Sequence, residues 1–280
     1  MVALGILTFV TDYTLQPVEL ARAVEERGIE SLFLTEHTHI PTSRESPSYL
    51  GGDLPQEYWH THDVFTALAA VAAVTETLIL GTGICLVPEH HPLTLAKQVA
   101  SLDSLSNGRF IFGIGAGWNA EELANHGVAF KDRWKVTRES VLAMREVWTQ
   151  DEAEYHGDFV DFDPVWSWPK PAQAGGPPVL LGAGTKWSWD RVAEYCDGWY
   201  PIDGHDDLTE GIEGIKAAFD RRDRPWEDIQ LTATTLGNEA RMAEIAELGF
   251  TRITVPLPSA GPDEQLAMLD DIAKLAERLR

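Results

Sequence analysis

The chain has 280 residues, and its 44% of hydrophobic and 24% of charged residues are typical of a globular protein that dissolves in water. Its formal net charge of −22 argues against a nucleic acid or an anionic membrane as a partner, because both would repel an acidic surface. No apolar run approaches the ~20 residues that span a bilayer. Cys85 and Cys196 stand in apolar surroundings and are expected to be reduced thiols, which fits a cytoplasmic protein.

Strand and helix signals alternate from the start of the chain. A strand is predicted over residues 4–10, followed by a helix that begins at Pro17 and ends at Gly28. A second strand over 31–35 leads into Glu36-His37-Thr38-His39. The polar segment 41–62 comes next, and its 22 residues are too many for a simple connection. Asp63 is then expected to cap a helix with an apolar face.

The middle of the chain is marked by glycines at the ends of strands. A third strand is predicted over 77–87, and a helix from Pro92 is closed by Asn107-Gly108. The fourth strand, within 108–118, ends in glycines at alternate positions. Similar glycines occur in 80–83 and 181–184. Because strand interiors disfavour glycine, these positions predict a backbone that another group approaches closely.

The remaining signals complete eight strand–helix units. An amphipathic helix is predicted around 134–148, followed by an aperiodic, proline-rich excursion over 151–177. The last strands are predicted over 178–182, 198–202, 229–235 and 252–257, with helices near 188–195, 208–221, 239–248 and 263–279. We therefore expect an α/β fold in one domain over 1–280, a (β/α)₈ TIM barrel with loop excursions after strands 2 and 4. A doubly wound open sheet is the alternative, but no Gly-x-Gly-x-x-Gly opens a helix near the start.

Several motifs in this order resemble the luciferase-like monooxygenase superfamily. They are Glu36-His37, Leu-Gly-Thr-Gly-Ile (80–84), His-Pro-Leu-Thr-Leu-Ala-Lys-Gln (91–98), Asp-Ser-Leu-Ser-Asn-Gly-Arg-Phe (103–110), Gly-Ala-Gly-Trp (115–118) and Cys-Asp-Gly-Trp (196–199). The narrower likeness is to the actinobacterial and mycobacterial members that use the deazaflavin coenzyme F420. The resemblance implies an oxidoreductase, F420 as cofactor, and a homodimer. FMN is the alternative cofactor and would make the protein an oxygen-using monooxygenase.

The resemblance also implies which residues contact the cofactor. Thr82, Gly83 and Ile84 would lie beneath the tricyclic ring, with a cis peptide bond between Gly83 and Ile84. Gly115, Ala116 and Gly117 would let the cofactor pass close to strand four. The phosphate group would be held by the loop before a helix that Ser188 could cap. That loop is Gly182, Ala183, Gly184, Thr185 and Lys186.

The expected catalytic residues are His37 and Glu36. An imidazole exchanges protons near neutral pH, and the resemblance places His37 beside the reactive face of the ring. The position predicts that His37 faces the barrel mouth while Leu32 and Leu34 face the other way. Three roles stay open for Glu36: orienting His37, bonding the edge of the ring, or closing a salt bridge in the barrel. The alternative for His37 is a hydrogen bond to loop backbone.

The substrate pocket is expected to contain Trp118, Trp59 and His60, with the excursions as its roof. Sugar-phosphate dehydrogenases of the superfamily have a glutamate where this chain has Trp118. Since an indole cannot exchange a proton, an apolar or aromatic substrate that stacks on Trp118 is expected instead. Packing of Trp118 against the 41–62 loop is the alternative.

Two other functions stay open. His37-Thr38-His39 resembles the His-x-His metal pair of barrel hydrolases, and His60, His62, His90 and His91 lie nearby in sequence. Such enzymes need an aspartate at the end of strand eight, where this chain has Val255-Pro256-Leu257-Pro258, so we predict no metal site. The other function is binding of a deazaflavin without catalysis.

Overall fold

The computed structural model describes residues 2–48 and 51–279. Its strands are β1 (Ala3–Thr8), β2 (Ser31–Leu34), β3 (Ile79–Thr82), β4 (Cys85–Leu86), β5 (Phe110–Gly115), β6 (Ala153–His156), β7 (Asp161–Val165), β8 (Val179–Leu181), β9 (Gly198–Trp199), β10 (Gln230–Thr234) and β11 (Arg252–Pro256). Its helices are α1 (Pro17–Glu26), α2 (Glu57–His60), α3 (Val64–Ala72), α4 (Pro92–Leu105), α5 (Ala120–Asn125), α6 (Arg133–Thr149), α7 (Ser188–Tyr195), α8 (Leu208–Asp220), α9 (Glu239–Glu247) and α10 (Pro262–Leu279).

The strands other than β6 and β7 form a closed parallel barrel. Their order is β3-β2-β1-β11-β10-β9-β8-β5-β4, and pairing of β3 with β5 closes the ring. β3 and β4 are two halves of the third barrel strand, which is interrupted at Gly83 and Ile84. The peptide bond between these two residues is cis, as the family resemblance implies. The prediction of an eight-stranded (β/α)₈ barrel is confirmed. The prediction of one continuous strand over 77–87 was wrong.

Side chains at alternate positions of the barrel strands belong to two different hydrophobic cores. Phe33, Ile111, Leu180 and Tyr200 pack together inside the barrel. Leu32 and Leu34 belong instead to the larger apolar layer between the strands and the surrounding helices. Because side chains alternate along a strand, this division follows from the period of two. It confirms that Leu32 and Leu34 face away from the barrel interior.

Local signals position the helices as predicted. The Asp63 carboxylate accepts a hydrogen bond from the Thr66 backbone N–H and caps α3. The end of α4 is followed by Asn107 and Gly108 with φ of 57° and 78°, the left-handed conformation that ends helices. Ser188 is the first residue of α7 and not its cap, which corrects the prediction.

The two excursions contain regular structure that the sequence analysis did not predict. β6 and β7 form an antiparallel hairpin within the 151–177 segment. The prediction of an excursion without regular structure was therefore wrong for that part. The segment after the hairpin carries Trp166 and Trp168, which are 80% and 58% exposed. The excursion between β2 and α3 contains the short helix α2.

Two residues of the 103–110 motif stabilise the barrel wall. Arg109 donates hydrogen bonds to the carbonyl oxygens of Leu78, Ser106, Ala72 and Thr75, and so joins the start of β5 to α3, α4 and β3. The Asp103 carboxylate accepts two bonds from Gln173, which attaches the excursion to α4.

Cys85 and Cys196 are buried, free thiols. Over 2–48 and 51–279 we find no helix with the length and apolar character needed to cross a membrane.

Candidate active site

The carboxyl ends of three neighbouring barrel strands bring the candidate catalytic residues together. Glu36 and His37 follow β2, Glu89 and His90 follow β4, and the chain after β5 leads into α5. Asn119 caps α5, since its side-chain oxygen accepts bonds from the backbone N–H groups of Glu121 and Glu122. This capped first turn points Glu122 at the end of β2. In parallel barrels this end of the strands carries the active site.

The central pair of the site is His37 and Glu122. The His37 Nδ1 lies 2.8 Å and 3.1 Å from the two carboxylate oxygens of Glu122. Both side chains are buried, with 6% and 1% exposed. Because a carboxylate only accepts hydrogen bonds, the contact places a proton on Nδ1 and leaves Nε2 as the nitrogen that can exchange one.

Aromatic rings enclose His37. The ring of Tyr58 lies 5.1 Å from the imidazole and that of Trp118 lies 5.9 Å away, edge to face. Tyr58 is buried, whereas its neighbour Trp59 is 50% exposed and its ring lies near that of His60. His60 bonds to Asp12 at 2.8 Å. Of the predicted pocket residues, the structure places Trp118 directly against His37, with Tyr58 in place of Trp59 and His60.

Glu36 is paired with the third barrel strand rather than with His37. Its carboxylate accepts bonds from the backbone N–H of Leu86 at 2.6 Å and from His90 Nε2 at 2.9 Å. Burial lowers the pKa of His90, but the bond to Glu36 and its charge outweigh burial, and the net shift is upward. Among the three roles predicted for Glu36, the geometry shows the salt bridge. It fixes the backbone just after the cis peptide bond.

Glu89 is the third buried carboxyl group of the site. It is 6% exposed, and its Oε2 lies 3.8 Å from His126 Nε2. Burial, followed by repulsion from Glu122 and Glu36, raises the pKa of Glu89 to about 9. Glu89 therefore keeps its proton at neutral pH.

The predicted cofactor contacts at the third strand lie at the base of the barrel mouth. Gly83 and Ile84 are partly exposed, whereas the flanking Thr82 and Cys85 are buried. The Thr82 hydroxyl donates to the Gly113 carbonyl oxygen at 2.6 Å, so it joins β3 to β5. Gly83 and Ile84 are thus the parts of this segment that a planar ring could contact.

The glycines of β5 and of the segment after β8 make room for Ile84. A Cβ atom on Gly115 would lie 2.0 Å from Ile84 Cδ1, and one on Gly182 would lie 2.7 Å from Ile84 Cγ2. Ala116 is buried, and Gly117 has a φ of +77°, which requires glycine. The close approach that was predicted at Gly115 and Gly182 is therefore made by a protein side chain.

The predicted phosphate loop precedes α7. The Thr185 backbone N–H donates to Ser188 Oγ at 3.2 Å, so the Ser188 hydroxyl stabilises the loop. Thr185 and Lys186 are exposed, and the Lys186 ammonium lies over the Trp187 ring. On the other side, the Asp206 carboxylate lies against Gly184, where a Cβ atom would be 2.0 Å from its Oδ1. The loop thus presents one cation and has one carboxylate packed against its backbone.

Side chains of metal-ligating types also meet away from the His-x-His pair, at which no metal site is predicted. Among the described residues, Glu36, Cys85 and His90 have ligand atoms within 4.8 Å of one another. Burial and the neighbouring Glu36 raise the pKa of the Cys85 thiol, and both oxygens of Glu36 already accept hydrogen bonds. His37 and His39 are not in this group: His37 bonds to Glu122, and His39 bonds to Thr38 and Asn125.

Comparison with known proteins assigns the family. The sequence model described as luciferase-like monooxygenase matches residues 14–237. The chain belongs to the luciferase-like monooxygenase family. The resemblance seen in the motifs is thereby confirmed over most of the chain's length.

The luciferase-like relatives with named activities are oxidoreductases. A protein of Mycobacterium tuberculosis (strain ATCC 25618 / H37Rv), described as uncharacterized, is 38% identical over 97% of this chain and 98% of its own length. The F420-dependent glucose-6-phosphate dehydrogenase of Amycolatopsis mediterranei (strain U-32) is 30% identical over 94% of this chain and 76% of its own. The FMNH(2)-dependent dimethylsulfone monooxygenase of Pseudomonas putida is 29% identical over 65% of this chain and 47% of its own.

Two solved structures share the fold. An F420-dependent secondary alcohol dehydrogenase in complex with an F420-acetone adduct superposes with a TM-score of 0.79 at 15% identity, covering 100% of this chain and 99% of its own. The monooxygenase RslO1 from Streptomyces bottropensis also has a TM-score of 0.79, at 22% identity and 98% coverage of both chains.

Sequence reasoning missed Glu122, Glu89, Tyr58 and the pairing of His90. A signal for Glu122 was present, since Asn119-Ala-Glu-Glu has a helix cap followed by acids in the first turn. It predicts a helix immediately after Trp118, with Glu122 one turn away. No comparable signal predicts that Glu89 approaches Glu122 or that Tyr58 approaches His37, because both belong to irregular or very short elements.

Proposed function

We propose that this luciferase-like protein is an F420-dependent oxidoreductase, which transfers a hydride between C5 of the deazaflavin and a small, apolar or aromatic substrate. The observation that carries the proposal is the position of His37 at the barrel mouth, held through Nδ1 by Glu122. The relative from Amycolatopsis, F420-dependent by name, supports the choice of cofactor.

The residues at the mouth fit a planar cofactor with a phosphate group. Gly83 and Ile84 would contact the ring at the base of the mouth. Gly117, which follows β5, is partly exposed and has a left-handed backbone conformation, so the cofactor could pass close to it. The amino end of α7 with Thr185 and Lys186 would hold the phosphate. When bound, reduced F420 supplies a hydride from C5 and reacts poorly with oxygen, because carbon replaces the N5 of a flavin.

The chain's own residues then supply proton transfer and placement. His37 Nε2 would donate a proton to the substrate oxygen during reduction, or accept one during oxidation of an alcohol. Glu122 keeps the ring oriented and stabilises its protonated form. Both directions of hydride transfer are compatible with this arrangement.

Aromatic side chains favour an apolar substrate. Trp118 and Tyr58 flank the imidazole with their rings, and Trp118 stands where sugar-phosphate dehydrogenases of the family have a glutamate. Stacking on these rings favours flat or apolar molecules over sugar phosphates. A carbonyl or an electron-poor double bond beside Trp118 would be the reducible group.

An FMN-dependent monooxygenase is the second candidate. It is supported by the 29% identity to the dimethylsulfone monooxygenase from Pseudomonas. The two candidates differ in chemistry, because reduced FMN activates oxygen whereas reduced F420 does not.

Titration of the purified apoprotein with F420 and with FMN tests the proposal. Saturable quenching of tryptophan fluorescence by F420 alone is expected. Binding of FMN alone would overturn the F420 assignment in favour of the monooxygenase, and binding of neither would overturn both. Binding of F420 without turnover of any carbonyl, alkene or alcohol in a broad screen would instead support the non-catalytic binding protein.

A further inference from the structure

Three glutamates from three different elements meet behind His37. Glu36 follows β2, Glu89 ends the 3₁₀ helix Val87–Glu89, and Glu122 lies in the first turn of α5. All three are buried, with exposures of 5%, 6% and 0%. Since a buried carboxylate is costly without a partner, the three cannot all be ionised unless each is matched by donors.

Two of the three glutamates accept hydrogen bonds from neighbouring donors, and the third does not. Glu36 accepts bonds from the Leu86 backbone and from His90, and Glu122 accepts the bond from His37. By contrast, neither side-chain oxygen of Glu89 makes a hydrogen bond of normal geometry to another described residue. The arrangement therefore favours a neutral carboxyl group at Glu89.

The titratable groups around Glu89 reinforce this state. Cys85 on β4 has a raised pKa and stays a thiol. His126, at the end of α5, has a lowered pKa because of burial and the nearby His39, so it offers Glu89 no positive charge at neutral pH. His90 is matched by Glu36, and the remaining neighbour is the carboxylate of Glu122.

We infer that Glu122 and Glu89 act as a positioning pair behind His37, in which Glu122 carries one negative charge that holds Nδ1 and Glu89 remains a neutral acid. An ionised Glu89 would place a second, repelling charge beside Glu122. The inference deepens the proposed function and rests on it, because His37 would exchange the proton that accompanies hydride transfer.

The proton balance leaves both glutamates unchanged. In the reducing direction, the Nε2–H bond of the imidazolium would break and an O–H bond would form on the substrate carbonyl, while its carbon would receive the hydride that reduced F420, when bound, supplies by loss of its C5–H bond. The Nδ1 proton stays between His37 and Glu122, and solvent restores the Nε2 proton after the product leaves. Glu122 and Glu89 are thus positioning residues and do not react.

Nitrogen NMR of the apoprotein labelled with ¹⁵N-histidine tests the role of Glu122 without cofactor or substrate. The signals of His37, assigned by their loss in His37→Asn, are expected to show a proton on Nδ1, whether or not Nε2 also carries one. The Glu122→Ala variant should shift this proton towards Nε2. A wild-type His37 with its proton on Nε2 would overturn the inference, even if the variant failed to fold.

A matched control separates this effect from the loss of any buried carboxylate. Glu139 is also buried and accepts bonds from the backbone of Asp158, Phe159 and Val160, far from His37 along the chain. The Glu139→Gln variant should leave the His37 signals unchanged. An equal response to both variants would contradict a specific role for Glu122.

Infrared spectroscopy tests the state of Glu89. The protein labelled with ¹³C-glutamate should show a carboxylic-acid C=O band at pH 7 that is missing in Glu89→Gln. Absence of the band from the wild type would overturn a neutral Glu89. Neither this test nor the NMR test depends on cofactor binding, so failure of the proposed function would be seen separately in the F420 titration.

Kinetics provide the functional readout once the F420-bound enzyme turns over a substrate. Glu122→Gln should lower kcat at least tenfold with KM within about twofold, and Glu122→Asp should recover part of the loss. An unchanged kcat, or a loss confined to KM, would contradict positioning of His37 by Glu122.

Discussion

The side chain of Ile84 occupies the space that a side chain on Gly115 would need. A Cβ atom there would lie 2.0 Å from Ile84 Cδ1, and Gly182 on the other side leaves a similar gap. The glycines at the ends of two barrel strands are thus explained by one residue of a third strand. They shape the base of the mouth indirectly, by allowing Ile84 to lie there.

Replacing Gly115 with alanine should therefore destabilise the barrel. Overpacking of this kind costs about 1–3 kcal/mol, which urea denaturation would detect. The double variant Gly115→Ala/Ile84→Ala should recover part of the loss, because it removes the clashing atoms. Gly261→Ala is the control, since nothing lies within 4 Å of its Cβ position. Equal stability of Gly115→Ala and the wild type would contradict the packing described.

Replacing His37 with alanine should lower turnover while F420 affinity stays within about twofold. Loss of a general acid or base typically reduces the rate by about 10²–10⁴-fold. Steady-state kinetics and the fluorescence titration would measure the two effects separately. His156→Ala, on the exposed β6–β7 hairpin, is the control. Turnover that survived His37→Ala would remove this histidine from the reaction.

Glu89→Gln should alter how stability depends on pH. The pKa of Glu89 is raised from 4.5 to about 9 in the folded state. Between these two pH values, Glu89 therefore keeps its proton in the folded protein but has lost it in the unfolded chain. Wild-type stability is therefore lost as the pH rises, by up to about 1.4 kcal/mol per unit from this group. Glutamine cannot ionise, so the stability of Glu89→Gln relative to the wild type should increase between pH 5 and pH 9. Denaturation curves at several pH values would show this, and a constant difference would argue against a raised pKa.

Charge changes at the loop before α7 should alter affinity for F420 in opposite directions. Lys186→Gln removes the cation and should weaken binding several-fold, more at low salt than at high salt. Asp206→Asn removes the negative charge beside Gly184 and should strengthen F420 binding. The loop should keep its structure, because asparagine can still accept the bond from the Ile202 N–H. Lys216→Gln on α8 provides a control for net charge. If neither Lys186→Gln nor Asp206→Asn changed the affinity measured by fluorescence titration, the phosphate would bind elsewhere.

The barrel could be predicted from the sequence because each strand and helix carries its own local signal. Asp63 caps α3 and Gly108 ends α4 through interactions within a few residues. The hairpin β6–β7 escaped prediction because its strands are mostly exposed and lack a clear alternation.

The site was predicted only in part, because its contacts join residues that are distant in sequence. His37 and the cis bond after Gly83 could be inferred from motifs. The partner of His37 lies 85 positions away, and that of Glu36 lies 54 positions away. Motifs mark such residues singly, whereas their pairing depends on how the strand ends meet.

The excursion over 41–62 is tied to the same helix that supports His37. The Ser46 backbone N–H donates to the Glu121 carboxylate at 2.7 Å, and Ser46 Oγ accepts a bond from the Ala120 N–H at 3.0 Å. Glu121 and Glu122 are adjacent, so one residue of α5 holds the loop while the next holds the imidazole. Any displacement of Ser46 would therefore act on α5, so that the position of this part of the loop and the orientation of the His37 imidazole are mechanically linked.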